Sequence, residues 1–119
     1  MSEYVNRCIL AINGQNIEDF KTFTENEREL ARQVKLMNKS GSCGVTQRPG
    51  CKVDYVVPME APEFDFDSVK DGTLTVEYEN GKRKIFTGVR TLKIGEEKID
   101  GDNDVVRAIE FMAEKRRVE

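Results

Sequence analysis

The sequence predicts a mainly β, antiparallel fold, and three features carry that prediction. The pair Asn80-Gly81 is a tight-turn signal, because both residue types tolerate the positive φ that a type I′ hairpin turn requires. A second such pair, Asn13-Gly14, lies near the start of the chain. The segment 51–59, CKVDYVVPM, alternates apolar and polar side chains for most of its length, which is the period of a half-buried strand.

Length and charge limit the classes of protein that fit. With 119 residues, 34% of them charged and 38% hydrophobic, the chain is expected to form a single domain, 1–119, with a modest core. Its net charge of -3 lacks the strong positive charge typical of nucleic-acid binding. It has neither an apolar run of about 20 residues nor the basic-then-apolar start of a signal peptide. We therefore expect a soluble protein made in the cytoplasm, without a membrane partner.

The first predicted strand is 4–12, YVNRCILAI, and it runs into the first Asn-Gly pair. That turn places Ile12 opposite Gln15 and Leu10 opposite Ile17, so the chain returns antiparallel.

Segment 19–37 fits two periods. Side chains alternate over 20–27 as in a strand, but helix formers follow, with three apolar residues at helical spacing: Leu30, Val34 and Met37. Pattern alone favours a helix over 25–37. The next segment, 38–50, NKSGSCGVTQRPG, is rich in turn formers and longer than a simple connection needs, which indicates that the loop has a function of its own.

Segment 61–72, APEFDFDSVKDG, has room for one or two helical turns, with Asp67 or Ser68 as N-cap and Gly72 as terminator. The second Asn-Gly pair then predicts a two-residue hairpin turn. The residues expected to face each other across it are Glu79 and Lys82, Tyr78 and Arg83, Glu77 and Lys84, and Val76 and Ile85. Phe86 breaks this scheme because it falls on the charged face, so either Gly88 marks a bulge or that face is covered.

The last third begins with predicted strands at 91–94 and 97–99 on either side of a turn at Gly95. An acidic turn, IDGDND, follows. Residues 105–118 fit both a helical stripe and the alternation of a strand, and periodicity does not decide between them.

The sequence offers few candidates for catalytic or metal-binding residues. Three cysteines, Cys8, Cys43 and Cys51, have neither zinc-site nor CxxC spacing, so we expect reduced thiols with Cys8 in the core. The chain has no histidine, which removes the commonest general base. The aspartates at 100, 102 and 104 have the spacing of a calcium loop, but Phe111 stands where the bidentate glutamate belongs, and a solvated turn is favoured. We predict no catalytic residue, no metal and no cofactor.

Taken in order, the chain resembles the tail tube (core tail) proteins of contractile-tailed phages and prophages, the PBSX-like tube family. The resemblance begins at AINGQNIEDFKTFTENE and passes through Val34 to Met37 into the Gly-rich loop and CKVDYVV. It resumes at GKRKIFTGVRTLKIGEEKIDGDNDVVRAIEFMAE. It implies an antiparallel β-sandwich or split barrel with one short helix. Segments 19–37 and 91–113 would then be long strands, which overrules the helix favoured by pattern.

The resemblance also implies a structural role. Six copies would form a ring by continuing one sheet around a channel, and rings would stack into the tube of a virion tail, assembled in the host cytoplasm, through which DNA passes. Sheath, tape measure and baseplate proteins would be the partners. Since each copy carries -3, the ring would repel phosphate on average, and the candidates for channel-facing charges are Glu25, Glu27, Glu29, Asp100, Asp102 and Asp104.

In such proteins a loop at the place of 38–50 reaches toward the adjacent ring. The expected inter-ring contacts are polar from Lys39, Gln47 and Arg48 and apolar from Val45, and deleting 40–46 should stop tube growth without unfolding the protein. Two alternatives stay open. One is a tube protein of a type VI or other contractile injection system. The other is a small β-barrel binding module, which would be a stable monomer with a ligand groove.

Overall fold

Ten β-strands make up nearly all the regular structure of residues 2–60 and 62–119, the part of the chain that the computed structural model describes. In chain order they are β1 Cys8–Ile12, β2 Gln15–Ile17, β3 Phe20–Glu25, β4 Ala31–Lys35, β5 Ser40–Gly44, β6 Gly50–Val56, β7 Gly72–Tyr78, β8 Arg83–Ile94, β9 Val106–Met112 and β10 Lys115–Val118. Every pairing between them is antiparallel. The prediction of a mainly antiparallel β fold is confirmed.

The first hairpin has the predicted register. Leu10 pairs with Ile17 and Ile12 pairs with Gln15. The turn residues Asn13 and Gly14 have φ of 52° and 82°, the two positive values that a type I′ turn needs.

Eight strands form one sheet, in which seven follow a hydrogen-bonded path in the order β2-β1-β7-β8-β9-β6-β3 and the eighth, β10, pairs with β8. The long strand β8 belongs to both halves of this path. Its first part pairs with β7 and β10, and its last part pairs with β9. Because the strands are continuous through β8, the division into the two sheets of a sandwich or split barrel stays a prediction.

Strand β8 has a bulge at Gly88, which was one of the two alternatives that the sequence left open. Gly72 pairs with Val89 and Thr73 with Thr87, which leaves Gly88 without a partner on β7. Its φ is 65°, and a Cβ placed on it would lie 2.7 Å from Cγ of Glu114. Only glycine therefore fits this position without strain.

Gly88→Ala should lower the free energy of unfolding by about 2 kcal/mol, because it combines a left-handed backbone with a steric overlap. Urea unfolding followed by circular dichroism measures the change. Gly41→Ala is the matched control, since nothing lies within 4 Å of its Cβ position and its φ is not positive. An unchanged urea midpoint for Gly88→Ala would contradict the account of this bulge.

One core joins the two halves. Both contribute side chains with almost no exposed area, and together these are Leu10, Ile12, Ile17, Cys51, Val53, Tyr55, Phe66, Val69, Leu74, Val76, Phe86, Val89, Ile109, Phe111 and Ala113. The aromatic ring of Phe66 packs against Tyr55 at 5.0 Å and against Phe111 at 5.9 Å between centroids. The connection before β7 thus closes the core over β6 and β9.

The central hairpin differs from the prediction by one residue. Its loop has three residues rather than two, since the Tyr78 amide donates to the Lys82 carbonyl at 2.8 Å and Gly81 alone has positive φ, at 89°. Val76 therefore pairs with Lys84, and Leu74 with Phe86. All four pairs predicted across this turn are wrong, since Glu77 pairs with Arg83, Tyr78 faces Lys82 and Glu79 lies in the loop.

The shift exchanges the two faces of β8. Phe86, the exception in the predicted scheme, is fully buried against the core, and Ile85 pairs with Thr75 on the other face. Lys84 now points toward the interior, where its side chain is 20% exposed. A one-residue slip has this effect because side chains alternate between faces along a strand.

The helix that pattern favoured over 25–37 is wrong. Strands β3 and β4 occupy most of the segment 19–37, and irregular backbone at 26–30 separates them. The resemblance was therefore right that this segment is strand, but wrong that it is one long strand. Segment 91–113 is likewise strand at both ends with a long loop between, and the strand expected at 97–99 lies within that loop. The open choice for 105–118 is resolved as β9 and β10.

Two connections also differ from expectation. The predicted loop 38–50 contains strand β5. The predicted short helix is a single 3-10 turn at Phe66–Ser68, capped by Asp65 rather than Asp67 or Ser68, while Gly72 begins β7. Ala61, the first residue of that predicted segment, lies outside the described residues. Within 2–60 and 62–119, no helix has the length and apolar character needed to cross a membrane.

Candidate functional site

Strands β4 and β5 form a hairpin that stands apart from the main sheet, and we call residues 30–45 the arm. The hairpin is closed at its base by the Val45 amide, which donates to the Leu30 carbonyl at 3.4 Å. Every residue of β4 and β5 is exposed. The arm leaves the body where the Asn26 amide donates to the Gly50 carbonyl, at the start of β6.

The arm presents apolar side chains to solvent. The exposed fractions are 59% for Leu30, 37% for Val34, 49% for Leu36 and 97% for Met37. An isolated two-stranded hairpin is at best marginally stable in water, and these side chains pack on nothing within the core cluster. The arm is therefore suited to contact a surface outside its own chain.

The predicted contact residues lie on or beside the arm. Lys39 is in its turn, where its carbonyl accepts from the Leu36 amide at 3.1 Å. Val45 is partly buried at the base, and Gln47 and Arg48 are exposed in the strand-free link to β6. Their contacts with an adjacent ring stay a prediction. Three apolar side chains of the arm, Leu30, Val34 and Met37, were visible in the sequence as a stripe at helical spacing, for which pattern alone favoured a helix and the resemblance implied a strand.

A half-buried ionic cluster, which we call the clasp, sits at the root of the arm. Glu25 is the last residue of β3, Lys84 lies on β8 and Arg116 on β10. Lys84 Nζ donates to Glu25 Oε1 at 3.1 Å, and Arg116 Nε donates to Glu25 Oε2 at 2.5 Å. All three side chains are 20% exposed or less. The clasp ties the end strand β3 to the opposite half of the sheet.

The electrostatics of the clasp favour the charged forms. Burial alone would raise the pKa of the Glu25 carboxyl, but the hydrogen bonds and positive charges of Arg116 and Lys84 outweigh it, so the pKa lies below its ordinary value. Burial would likewise lower the pKa of Lys84, and Tyr78 and Glu25 beside it raise it overall. One carboxylate thus holds two cations that would otherwise face each other partly desolvated.

The six candidate channel charges fall into two groups that the fold does not bring together. Glu25 belongs to the clasp, and Glu27 and Glu29 lie beside it at the base of the arm. The three aspartates lie in the exposed loop 95–105 between β8 and β9. Whether any of them faces a channel stays a prediction.

The loop between β8 and β9 is shaped by its own aspartates. Asp100 accepts hydrogen bonds from the amides of Asp102 and Asn103, both at 3.0 Å, and from the Asn103 side chain at 3.1 Å. These bonds hold the pKa of Asp100 below its usual value. Asp104 lies 2.6 Å from Lys21 Nζ, and the hydrogen bond from that lysine lowers its pKa as well. No group of three or more potential metal ligands occurs in the described part of the chain.

The three cysteines differ in environment. Cys43 is exposed on the arm, Cys8 is half-buried rather than in the core as predicted, and Cys51 is 1% exposed. Burial raises the pKa of Cys8, and burial together with the charge of Glu25 raises the pKa of Cys51 to about 12.

Labelling with a maleimide at pH 8 should therefore modify Cys43 first, Cys8 more slowly and Cys51 only on unfolding, because the thiolate is the reactive form and must be accessible. Mass spectrometry of peptides gives the three rates, with protein unfolded in urea as the control in which they converge. Equal rates for Cys43 and Cys51 in folded protein would contradict the placement of Cys51.

Two strands of the main path have a free edge. Among the described strands, β2 and β3 end the path, and each is hydrogen bonded to one neighbour only. Beside β3 lies an open cleft of 740 Å³ toward β1 and β7, lined by Phe20, Phe23 and Tyr78 among others. A free edge next to a partly apolar cleft is a surface on which another strand can add.

Comparison with known proteins identifies the fold. No family model and no curated protein sequence matches the chain. Among solved structures, a chain in the cryo-EM structure of the sheath/tube terminator of the extracellular contractile injection system PVC matches with a TM-score of 0.77 and 11% identity, over 100% of this chain and 97% of that one. A chain in the cap that terminates the tube of the anti-feeding prophage matches with 0.76 and 9% identity, over 100% and 93%. A chain in the PVC sheath-tube complex matches with 0.71 and 11%, over 95% and 88%. The fold is thus one found in contractile injection systems.

Proposed function

We propose that this protein is a structural subunit of a contractile tail, and that six copies form a ring which stacks into the tail tube. The observation that carries the proposal is the fold, which matches chains of contractile injection particles over 95% to 100% of its length. Such a role needs no chemistry, so the proposal includes no enzyme activity, cofactor or metal.

The geometry supports the same role. The free edges of β2 and β3 are suited to joining neighbours within a ring, since strand pairing across an interface continues the sheet. The arm supplies a second, separate contact for stacking. A β-sandwich or split barrel is the architecture we propose for the two halves that share one core.

Partners and location follow from that role. We expect the sheath to surround the tube, the tape measure to occupy its channel and the baseplate to begin it. The particle is a phage tail, a phage-like particle without a genome, or an injection system. In a phage the tube is the conduit for DNA, which a net charge of -3 per subunit would repel rather than bind.

A second candidate is a subunit that ends the tube instead of extending it. Two of the matched chains belong to a terminator and to a cap, and their TM-scores of 0.77 and 0.76 exceed the 0.71 of the sheath-tube complex. A terminator would form single rings that bind a tube end and do not propagate.

Negative-stain microscopy of the purified protein over a range of concentrations tests the proposal. Tubes of uniform width that lengthen with concentration would support the tube subunit, and single rings would support the terminator. A strictly monomeric protein by light scattering at high concentration would contradict both and favour a binding module.

A further inference from the structure

The subunit has two distinct ends, set by the pairing of β6 with β9. At the Gly50 end of β6 the chain enters the arm, since Gly50 pairs with Met112 and accepts from the Asn26 amide. At the other end Val56 pairs with Val106, and the loop 95–105 lies there because it leads into β9. Seven residues of strand separate the ends by about 20 Å.

The arm end is basic. Residues 26–49, which comprise the arm and its two links, carry five basic and two acidic side chains, namely Arg28, Arg32, Lys35, Lys39, Arg48, Glu27 and Glu29. Within 30–45 there is no acidic residue. The outer part of the arm therefore carries only positive charge.

The loop end is acidic. Three segments meet there, since the Val56 amide donates to the Asp19 carbonyl, the Val57 amide to the Val105 carbonyl and the Phe64 amide to the Tyr55 hydroxyl. Segments 18–21, 57–64 and 95–107 carry nine acidic side chains against three basic ones: Glu18, Asp19, Glu60, Glu63, Glu96, Glu97, Asp100, Asp102 and Asp104, with Lys21, Lys98 and Arg107. Met59 and Ile99, which belong to these segments, add exposed apolar area, at 100% and 76%.

Much of this charge has no counter-charge within the subunit. The ion pairs of the described residues include none for Lys35 or Lys39 on the arm, and none for Glu96 or Asp102 at the loop end. None of those ion pairs joins the arm to the loop end either. Two oppositely charged surfaces, each with exposed apolar side chains, thus stand at opposite ends of one molecule.

We infer that the arm of one copy docks on the loop end of the next copy, with the lysines of the arm against the carboxylates of loop 95–105 and Leu36 and Met37 against Ile99. This deepens the proposed tube by naming the surface that receives the arm, and it rests on that proposal. The contact is heterologous, since two different surfaces meet, so it repeats without closing and gives the stack a direction.

Charge reversal tests the contact from both sides. Lys35→Glu with Lys39→Glu makes both surfaces acidic, and Glu96→Lys with Asp102→Lys makes both basic. None of these side chains forms an ion pair or hydrogen bond in the described structure, so circular dichroism should show an unchanged fold. Each variant alone should need a protein concentration about tenfold higher or more for assembly, because like charges would meet.

Mixing the two variants is the decisive step of the experiment. In an equimolar mixture, the acidic arm of one variant meets the basic loop of the other, and the basic arm meets the acidic loop, so assembly should return toward the wild-type concentration. Lys82→Glu is the control, since it reverses an exposed lysine beside the turn of the β7–β8 hairpin, which belongs to neither the arm nor the loop end. Wild-type assembly should also weaken between 0.1 and 1 M salt, as the screening length falls from about 10 to about 3 Å.

The outcomes separate the inference from the proposed function. Wild-type protein that never assembles contradicts the tube itself. Two outcomes would overturn the head-to-tail contact without contradicting the tube. In one, both charge-reversed variants assemble as well as the wild type. In the other, the mixture assembles as poorly as each variant alone. Restored assembly only in the mixture establishes the pairing of these two surfaces.

Discussion

Removing the arm should abolish the growth of tubes while leaving the fold of the subunit intact. The change replaces residues 31–44 with a short glycine-containing turn, which can close because the Leu30 carbonyl and Val45 amide already lie 3.4 Å apart. No residue of β4 or β5 belongs to the core, so the urea midpoint should stay within the error of the wild type. Sedimentation and negative-stain microscopy should show single rings or free subunits at concentrations where the wild type forms tubes.

This excision replaces the deletion of 40–46 that the sequence suggested. Because β5 spans most of that stretch, the shorter deletion would leave β4 without its partner and expose its backbone as a new edge. The matched control keeps the arm and substitutes Gly41→Ala on it, a position where a Cβ contacts nothing. Long tubes formed by the excised protein would remove the arm from the stacking contact.

Glu25→Ala should lower the free energy of unfolding by about 2 kcal/mol, between the value typical of an exposed pair and that of a fully buried one. The loss arises because Lys84 and Arg116 stay half-buried without their counter-charge, and because the end strand β3 loses its tie to β8 and β10. Urea unfolding at pH 7 measures it. Glu27→Ala is the control, since that neighbouring residue is exposed and makes no ion pair with the body in the described structure.

The pH dependence of the clasp has a definite sign. The pKa of Glu25 is lower in the folded protein than its ordinary value of 4.5, so its stabilisation is fully present above that value and lost as the pH falls through the folded-state pKa. The raised pKa of Lys84 places the loss of its charge at the alkaline end, above its ordinary value of 10.5. The difference in stability between wild type and Glu25→Gln should therefore be constant from about pH 5 to pH 9 and shrink below pH 4.5. A difference that persists unchanged into acid would mean that the carboxylate charge is not what Glu25 contributes.

Local signals in the sequence were sufficient where the backbone itself restricts the choice. At the first hairpin, Asn13 and Gly14 both take positive φ, and the predicted register follows from that turn alone. A bulge at Gly88 was one of two alternatives left open by the sequence, and the structure has it there, where only glycine adopts the backbone conformation beside Glu114 without strain.

The central hairpin shows where local signals run out. An Asn-Gly pair is compatible with a two-residue turn and with a three-residue turn in which only the glycine has positive φ. The register observed buries Phe86 beside Leu74 and leaves Ile85 outside. It also turns Lys84 inward, which is tolerable only because Glu25, far away in the sequence, supplies the counter-charge. The anomaly of Phe86 was readable, but its resolution depended on a contact between distant strands.

The arm marks the same division. By itself, the sequence determined the β class, the turn positions and the composition of each segment, because these depend on backbone restriction and short-range alternation. The tertiary structure alone decided that Leu30, Val34 and Met37 stand on an exposed hairpin rather than on the buried face of a helix. Helix propensity amounts to a few tenths of a kcal/mol per residue, and the strand pairing of β4 with β5 outweighs it. A stripe of apolar side chains in a sequence indicates a surface that favours burial. Only the folded structure shows that the core of this chain does not bury the apolar side chains of the arm.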